Sequence, residues 1–336
     1  MSALTSTPTA ETPPGRLTAV RSFFTDSIRA NPQGTTVRAA AVVVLLLGII
    51  AIPGFATLNN FKGLLASVSL IGIAAAGMAI ITISGNFFML SMGATTAVST
   101  IVFATTLSLG LLPAIIITVA VGTVVGLLQG LVIGGWGANP IIVTIAAASI
   151  ILGAGELWSG GLTIFGDGDP SSLNAVLFDI LPVQVLVFFA VVILIHFVIQ
   201  KSPFGRQIRL IGSNRDTAEF AGLPVKRTVI VGYVIAAACA AMAGVLLGAE
   251  AGQGNLGLGA EFDFDVISAV LVGGVVVTGG KGTVLDAAVG AVFIGMVGNL
   301  LIVGGQSFAL QTVIKGVIVI VAVSAAALLA RRKGKR

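Results

Sequence analysis

Apolar residues run through this chain in long blocks, and the polar residues gather between them. After Arg38, nearly unbroken apolar windows fall at 39–58, 62–83, 87–108, 111–134, 140–158, 181–200, 227–249, 263–279, 284–303 and 308–330. A helix rises about 1.5 Å per residue, so ~20 residues cover the ~30 Å hydrocarbon core of a bilayer. The pattern predicts an all-α, polytopic integral membrane protein with about ten transmembrane helices. The windows at 263–279 and 284–303 are rich in glycine. Both are expected to be broken helices whose backbones are satisfied by protein neighbours.

The longest charged interruption between windows is 201–227, KSPFGRQIRLIGSNRDTAEFAGLPVKR. Residues 214–221 within it read as a short helix. Asn214 is placed to cap it, Asp216 sits in its first turn where the helix dipole favours an anion, and Gly222 and Pro224 stop it. Such a segment is either a docking element for a cytoplasmic partner or a loop kept inside by its positive charge.

Composition agrees with the windows. Of 336 residues, 56% are hydrophobic and 9% charged, with a mean hydropathy of +1.09. Soluble domains carry about 25% charged residues. The 44 glycines suit helices packed by close backbone approach. A pI near 9.8 would suggest nucleic acid in a soluble protein. Here the basic residues lie in loops and tails, so nucleic acid is excluded as a partner and membrane lipid is expected.

Residues 1–38 form a polar tail with Arg16, Arg21, Arg29 and Arg38, in which Phe23, Phe24 and Ile28 could make a short interfacial helix. With this tail inside and ten crossings, the 201–227 loop, Lys281 and the basic terminus 331–336 also fall inside. Lys62 alone of the 18 Lys and Arg falls outside, and Lys315 alone lies within a span. Glu156, Asp167, Asp169, Asp179, Glu250, Glu261, Asp263 and Asp265 fall outside or at the outer rim. The transmembrane unit is therefore 39–330, with both termini cytoplasmic. Its parity permits two inverted four-helix units, the second to fifth and the seventh to tenth spans. The outer loop 159–180 contains GDGDPSS, which is turn chemistry.

Catalytic patterns are absent from the sequence. There is no H-E-x-x-H or G-x-S-x-G, and the single Cys239 and His196 make no metal or nucleophile set. The run VTGGKGT at 277–283 is not a Walker A loop, because Lys281 is followed by Gly282 rather than Ser or Thr. Polar groups within the spans are few and include Asn86, Ser91, Gln129, Asn299 and Lys315. They either line a path for a neutral hydrophilic solute or bond helix to helix.

Three stretches resemble one known family. GSNRDTAEFAGLPVKR is similar to the cytoplasmic coupling segment of the ribose-type sugar ABC transporter permeases. GLGAEFDFDVISAVLVGGVVVTGGKGTVLDAAVGAVFIGMVGNLL resembles their Gly-rich C-terminal signature, and ANPIIVTIAAASIILGAGELWSGG their middle segment. The likeness extends over 61–327. It implies an architecture like that of the vitamin B12 importer permease, and the membrane subunit of an ATP-driven importer in the bacterial inner membrane. The permease would be a homodimer served by a separate ABC ATPase, which uses the ATP and Mg²⁺, and by a periplasmic or lipid-anchored sugar-binding protein. The chain itself would be no enzyme and hold no cofactor or metal.

On this resemblance the coupling helix falls on 214–222. Asn214, Asp216 and Thr217 lie at its start, and Ala218, Ala221 and Gly222 let the ATPase approach closely. Asp263 and Asp265 match acidic positions at the outer start of a late span and are candidates for the binding-protein rim. Many relatives carry an Asp-Leu-Ser-x-Gly run at the third span, where this chain has SGNFFMLSMGAT with Met89 at the acidic position. Asn86, Phe88, Ser91 and Asn299 are the candidate pathway or gate residues. The expected solute is a monosaccharide such as ribose or another pentose. The alternatives are a nucleoside or other small polar solute on the same machinery, an ATP-independent secondary carrier, or a scaffold protein.

Overall fold

The computed structural model describes residues 32–333. The expectations for 1–31, including the interfacial helix at Phe23, Phe24 and Ile28, and for Lys335 and Arg336, lie outside the described residues. The helices are α1 (Pro32–Ala51), α2 (Leu58–Ile83), α3 (Met92–Thr106), α4 (Leu111–Gly130) and α5 (Pro140–Ser159). They continue with α6 (Val183–Lys201), α7 (Pro203–Ser213), α8 (Arg215–Phe220), α9 (Val225–Ala251), α10 (Phe262–Gly273), α11 (Val284–Val303) and α12 (Phe308–Lys333). Two antiparallel two-residue pairs decorate the connections: β1 (Ile164–Phe165) with β4 (Gln253–Gly254), and β2 (Val176–Leu177) with β3 (Leu181–Pro182). Among the described residues, seven helices are long and apolar enough to cross a membrane.

Local chemistry sets the helix starts. Asn139 Oδ1 accepts the N–H of Ile141 at 2.9 Å, and Pro140 opens α5 where its missing N–H costs nothing. Thr283 and Asp286 cap each other's backbone N–H groups at the start of α11, at 3.1 and 3.0 Å. The tail ends earlier than the apolar pattern implies, since α1 already begins at Pro32.

Each apolar window of the sequence overlaps one helix, with two differences inside the glycine-rich pair. The window at 263–279 is helical only to Gly273; Gly274, at φ 99°, ends α10, and a turn fills the remainder. Twelve residues rise about 18 Å, short of a ~30 Å core. The window at 284–303 was expected to be broken and is not. Its glycines are contact points within one continuous helix: Gly290 lies against the Ala269 carbonyl of α10, and Gly295 against Val68 of α2.

The centre of the bundle is α2 packed on α9. In α2, 89% of the apolar window is buried; in α5 the figure is 11%, so most α5 side chains point away from the packed bundle. Exchanging α2 with α9, α3 with α10, α4 with α11 and α5 with α12 maps the packed pairs onto one another. Thus α4 on α9 corresponds to α11 on α2, α3 on α9 to α10 on α2, and α3 on α5 to α10 on α12. Each four-helix unit has a long central helix, an irregular stretch (84–91 or 252–261), and a helix that starts late.

Close approach holds these pairs. Gly122, Gly126, Gly130 and Gly134 form one stripe on α4 and its continuation, lying against Ala241, Ala237, Tyr233 and Ile230 of α9. A Cβ on Gly126 would stand 2.5 Å from the Tyr233 carbonyl oxygen and 2.6 Å from Ala237 Cβ. Gly77 of α2 likewise admits the buried Cys239 of α9, whose Cβ would be 2.8 Å from an added methyl.

Gly126→Leu must separate α4 from the α9 backbone, at a cost of about 1–3 kcal/mol or more. The expected outcome is a lowered melting temperature of the protein in detergent. Gly153→Leu, on the exposed side of α5 with nothing within 4 Å of its Cβ, leaves that temperature unchanged.

Candidate functional site

The polar 201–227 segment folds as two helices. Ser202 Oγ accepts the Gly205 N–H at 3.2 Å and Pro203 opens α7. Gly205, Ile208, Ile211 and Gly212 bury one side of α7, while Arg206 and Leu210 are exposed. This helix was not foreseen, although the apolar spacing that marks it is present in the sequence.

The second helix, α8, is capped at both ends by its own chain. Asn214 Oδ1 accepts the Thr217 N–H at 2.9 Å, and Asp216 occupies the first turn. At the other end the Leu223 N–H reaches the Ala218 carbonyl at 3.0 Å and the Gly222 N–H reaches Glu219 at 3.0 Å, with Gly222 at φ 76°. This closes a Schellman motif in which only a left-handed residue fits. Asp216, Thr217, Ala221 and Gly222 are exposed. Ala218 is not: at 4% exposure it packs into the core, so its side chain faces the bundle and not a partner. Phe220 is 93% exposed at the tip, an apolar aromatic standing free on a charged helix. Sequence reasoning passed over it, although an aromatic within RDTAEF was the available signal. Arg215 and Glu219 pair at 3.7 Å on the surface, which contributes little.

The pathway candidates do not converge on one cavity. Asn86 Nδ2 donates to Ser84 Oγ at 2.8 Å, and Ser91 Oγ donates to Gln129 Oε1 at 2.9 Å; all four side chains are buried. Phe88 is half-buried beside Phe87, which is exposed at φ 56°. Met89 is fully buried with its N–H directed at Met78 Sδ, 3.2 Å away. Asn299 lies at the opposite end of α2, in a reciprocal amide pair with Asn60 at 2.9 and 3.0 Å.

The acidic residues at the start of α10 turn inward. Asp263 accepts the Gly93 N–H at 2.8 Å, at the first turn of α3. Thr312 of α12 donates to the Glu261 carboxylate at 3.0 Å. Lys315 of α12 reaches past Gly298 of α11 to Asp265 at 2.6 Å, with side-chain exposures of 11% and 18%. One short helix is thereby tied to α3 and α12 through three carboxylates. In the 159–180 loop, whose β1 pairs with β4 just ahead of α10, Asp169 accepts from the Ser171 N–H and hydroxyl at 2.8 and 2.9 Å. The Ser171 backbone N–H, then its hydroxyl, hold that carboxyl below its usual range.

The 277–283 run is the turn between α10 and α11, with Lys281 exposed and Thr283 capping α11. Among the described residues, no three His, Cys, Asp or Glu side chains are grouped to hold a metal ion.

Residues 60–323 match a family model described as the branched-chain amino acid transport system / permease component. The chain belongs to the permease family of sugar ABC importers. It is 32% identical over 331 residues to the probable ABC transporter permease protein YphD of Escherichia coli K12, covering 96% of this chain and 97% of that protein. It is 31% identical over 287 residues to the L-arabinose transport system permease protein AraH of the same organism, covering 84% and 86%. It is 30% identical over 287 residues to the ribose import permease protein RbsC of Bacillus subtilis 168, covering 84% and 88%. No solved structure matches the chain. As a permease of this family it is a membrane subunit that works with a separate ATPase and a substrate-binding protein.

Lys315→Met leaves the Asp265 carboxylate buried without its cation, a loss of about 3–5 kcal/mol in such pairs. The expected result is a marked fall in melting temperature in detergent. Adding Asp265→Leu to Lys315→Met restores most of it, because both charges are then gone.

Proposed function

We propose that this chain is the translocating subunit of an ATP-driven importer for a monosaccharide, of the pentose kind named for its relatives. It works as a homodimer by alternating access in a bacterial inner membrane. Ten segments cross the bilayer, at α1 to α6 and α9 to α12, the short α10 completing its crossing through the 274–283 turn, in an arrangement like that of the vitamin B12 importer permease. Support comes from the overlap of every apolar window with one helix and from the inverted pairing of the two units. Both termini and the 201–227 segment are cytoplasmic, in line with the basic residues gathered at that end.

The observation that carries the reading is α8: a self-capped helix presenting Phe220, Ala221 and Gly222 outward from a bundle whose sequence has no nucleotide loop of its own. Asn214, Asp216 and Thr217 fix its start, and Ala218 roots it in the core. The ATPase grips this knob, and its motion on binding ATP is passed to the gates. The late start of α3, with Asn86, Phe88 and Ser91, is the gate region. Asn299 holds α11 to α2 at the other end. Asp263 and Asp265 brace α10 from within, so the binding protein docks on other outward groups.

A second reading, a nucleoside or another small polar solute on the same machinery, is kept open by Met89. Fully buried where many relatives have an acid, it removes one polar group from this region. Uptake of labelled arabinose, ribose and nucleosides, with the cognate binding protein present, separates the two.

Ala221→Arg is expected to abolish uptake while the protein folds and inserts normally; wild-type uptake would overturn the docking role. Phe220→Ala removes an aromatic anchor, and such residues are worth ~2 kcal/mol or more at interfaces. Affinity for the ATPase, read by copurification at graded concentration, should fall about tenfold or more.

A further inference from the structure

We propose that Gly85, Gly212, Gly279 and Gly280 form the joint through which the coupling segment moves α10 and α11. The inference rests on the coupling role of α8 given above and names the residues that transmit it.

Three separate stretches of backbone meet here, with the Ser213 hydroxyl the one side-chain group set against the four glycines. The first is the end of α2, at Ile83 and Gly85. The second is the last turn of α7, at Gly212. The third is the 274–283 turn joining α10 to α11. The Gly280 N–H donates to the Ile83 carbonyl at 2.8 Å. Gly212 packs directly on the same carbonyl and on the Gly280 nitrogen, and its backbone is buried. A Cβ on Gly279 would lie 2.7 Å from both the Gly212 oxygen and Gly85 Cα; one on Gly280 would lie 2.5 Å from Ser213 Oγ. Gly85, Gly279 and Gly280 all hold positive φ, at 79°, 88° and 74°.

The position of this contact gives it its role. A single residue, Asn214, separates α7 from α8, so a displaced α8 pulls directly on Gly212. On the other side of the contact, the turn runs straight into α10, whose far end carries Glu261, Asp263 and Asp265. A push at α8 thus reaches α10 along one rigid helix on each side of the joint. Backbone packed on backbone can shear by small steps without changing any side-chain rotamer, while the Gly280 to Ile83 bond keeps register. The VTGGKGT run, which is no phosphate loop, has its purpose here.

The test uses the full importer, with its ATPase and binding protein, in proteoliposomes. In Gly212→Ala, copurification of the ATPase and ATP hydrolysis are expected to stay at wild-type levels. Solute taken up per ATP falls about tenfold, within the range of coupling energies between linked sites. Gly85→Ala is the milder partner: its Cβ meets Gly212 Cα at 3.4 Å and its cost is that of an alanine held at φ 79°, whereas the Cβ of Gly212→Ala falls on the Ile83 carbonyl, so Gly85→Ala tests the joint even if Gly212→Ala does not fold. A clear loss of uptake per ATP in Gly85→Ala, with the ATPase bound, supports the proposal. Normal uptake per ATP in Gly85→Ala, and in Gly212→Ala if it folds, overturns it. Ala221→Arg distinguishes the two levels: if it too transports normally, the coupling reading of α8 has failed; if it alone is inactive, only the joint has failed.

Discussion

A helix that starts inside a bundle has backbone N–H groups at its first turn that neither water nor the helix itself can satisfy. Here α3 starts in this way, against the beginning of α10, and the Asp263 carboxylate accepts the Gly93 N–H. The anion also lies at the positive end of the α3 dipole. This one contact permits the chain to enter the bundle as irregular backbone and begin a helix part-way through it. Without it, the Gly93 N–H would be left unpaired in a region that tolerates no such group. Helices that begin part-way are the recurring way in which transporters place polar groups at depth.

Around that contact the bundle divides into parts of different stiffness. Packed backbone to backbone along glycine, α4 and α9 form a unit with little freedom, and α2 closes against α9 in the same way. By contrast, α12 exposes Val313, Val317 and Ile320, and polar bonds to α10 tie it in: Lys315 to Asp265 and Thr312 to Glu261. Such a distribution suits a machine in which a dense centre stays whole and a short helix shifts beside it.

Much of this was legible in the sequence because lipid imposes one rule on every span. A run of about 20 apolar residues has to be a helix there, and the apolar windows found the helices. Asn214 and Gly222 delimited α8 because capping is local chemistry. What the sequence hid was long-range or amphipathic. Gly93 and Asp263 are 170 residues apart, and nothing near either reveals the other. Asp263 and Asp265 read as rim groups because acidic residues beside a span suggest water, whereas their partners lie on other helices. The α7 helix escaped because windows tuned to membrane spans pass over a half-polar helix. The glycines of 284–303 suggested a break because glycine lowers helix propensity, yet tertiary contact at Gly290 and Gly295 outweighs that preference.

The lone thiol of the chain, Cys239, is sealed between α9 and Gly77 of α2. Maleimide and nitroxide reagents in the aqueous phase have no route to it while the bundle is folded. Reporter cysteines can therefore be added singly on either face of the natural protein, without first deleting the native one. Distances between labels across the transport cycle would then be read on an unaltered core.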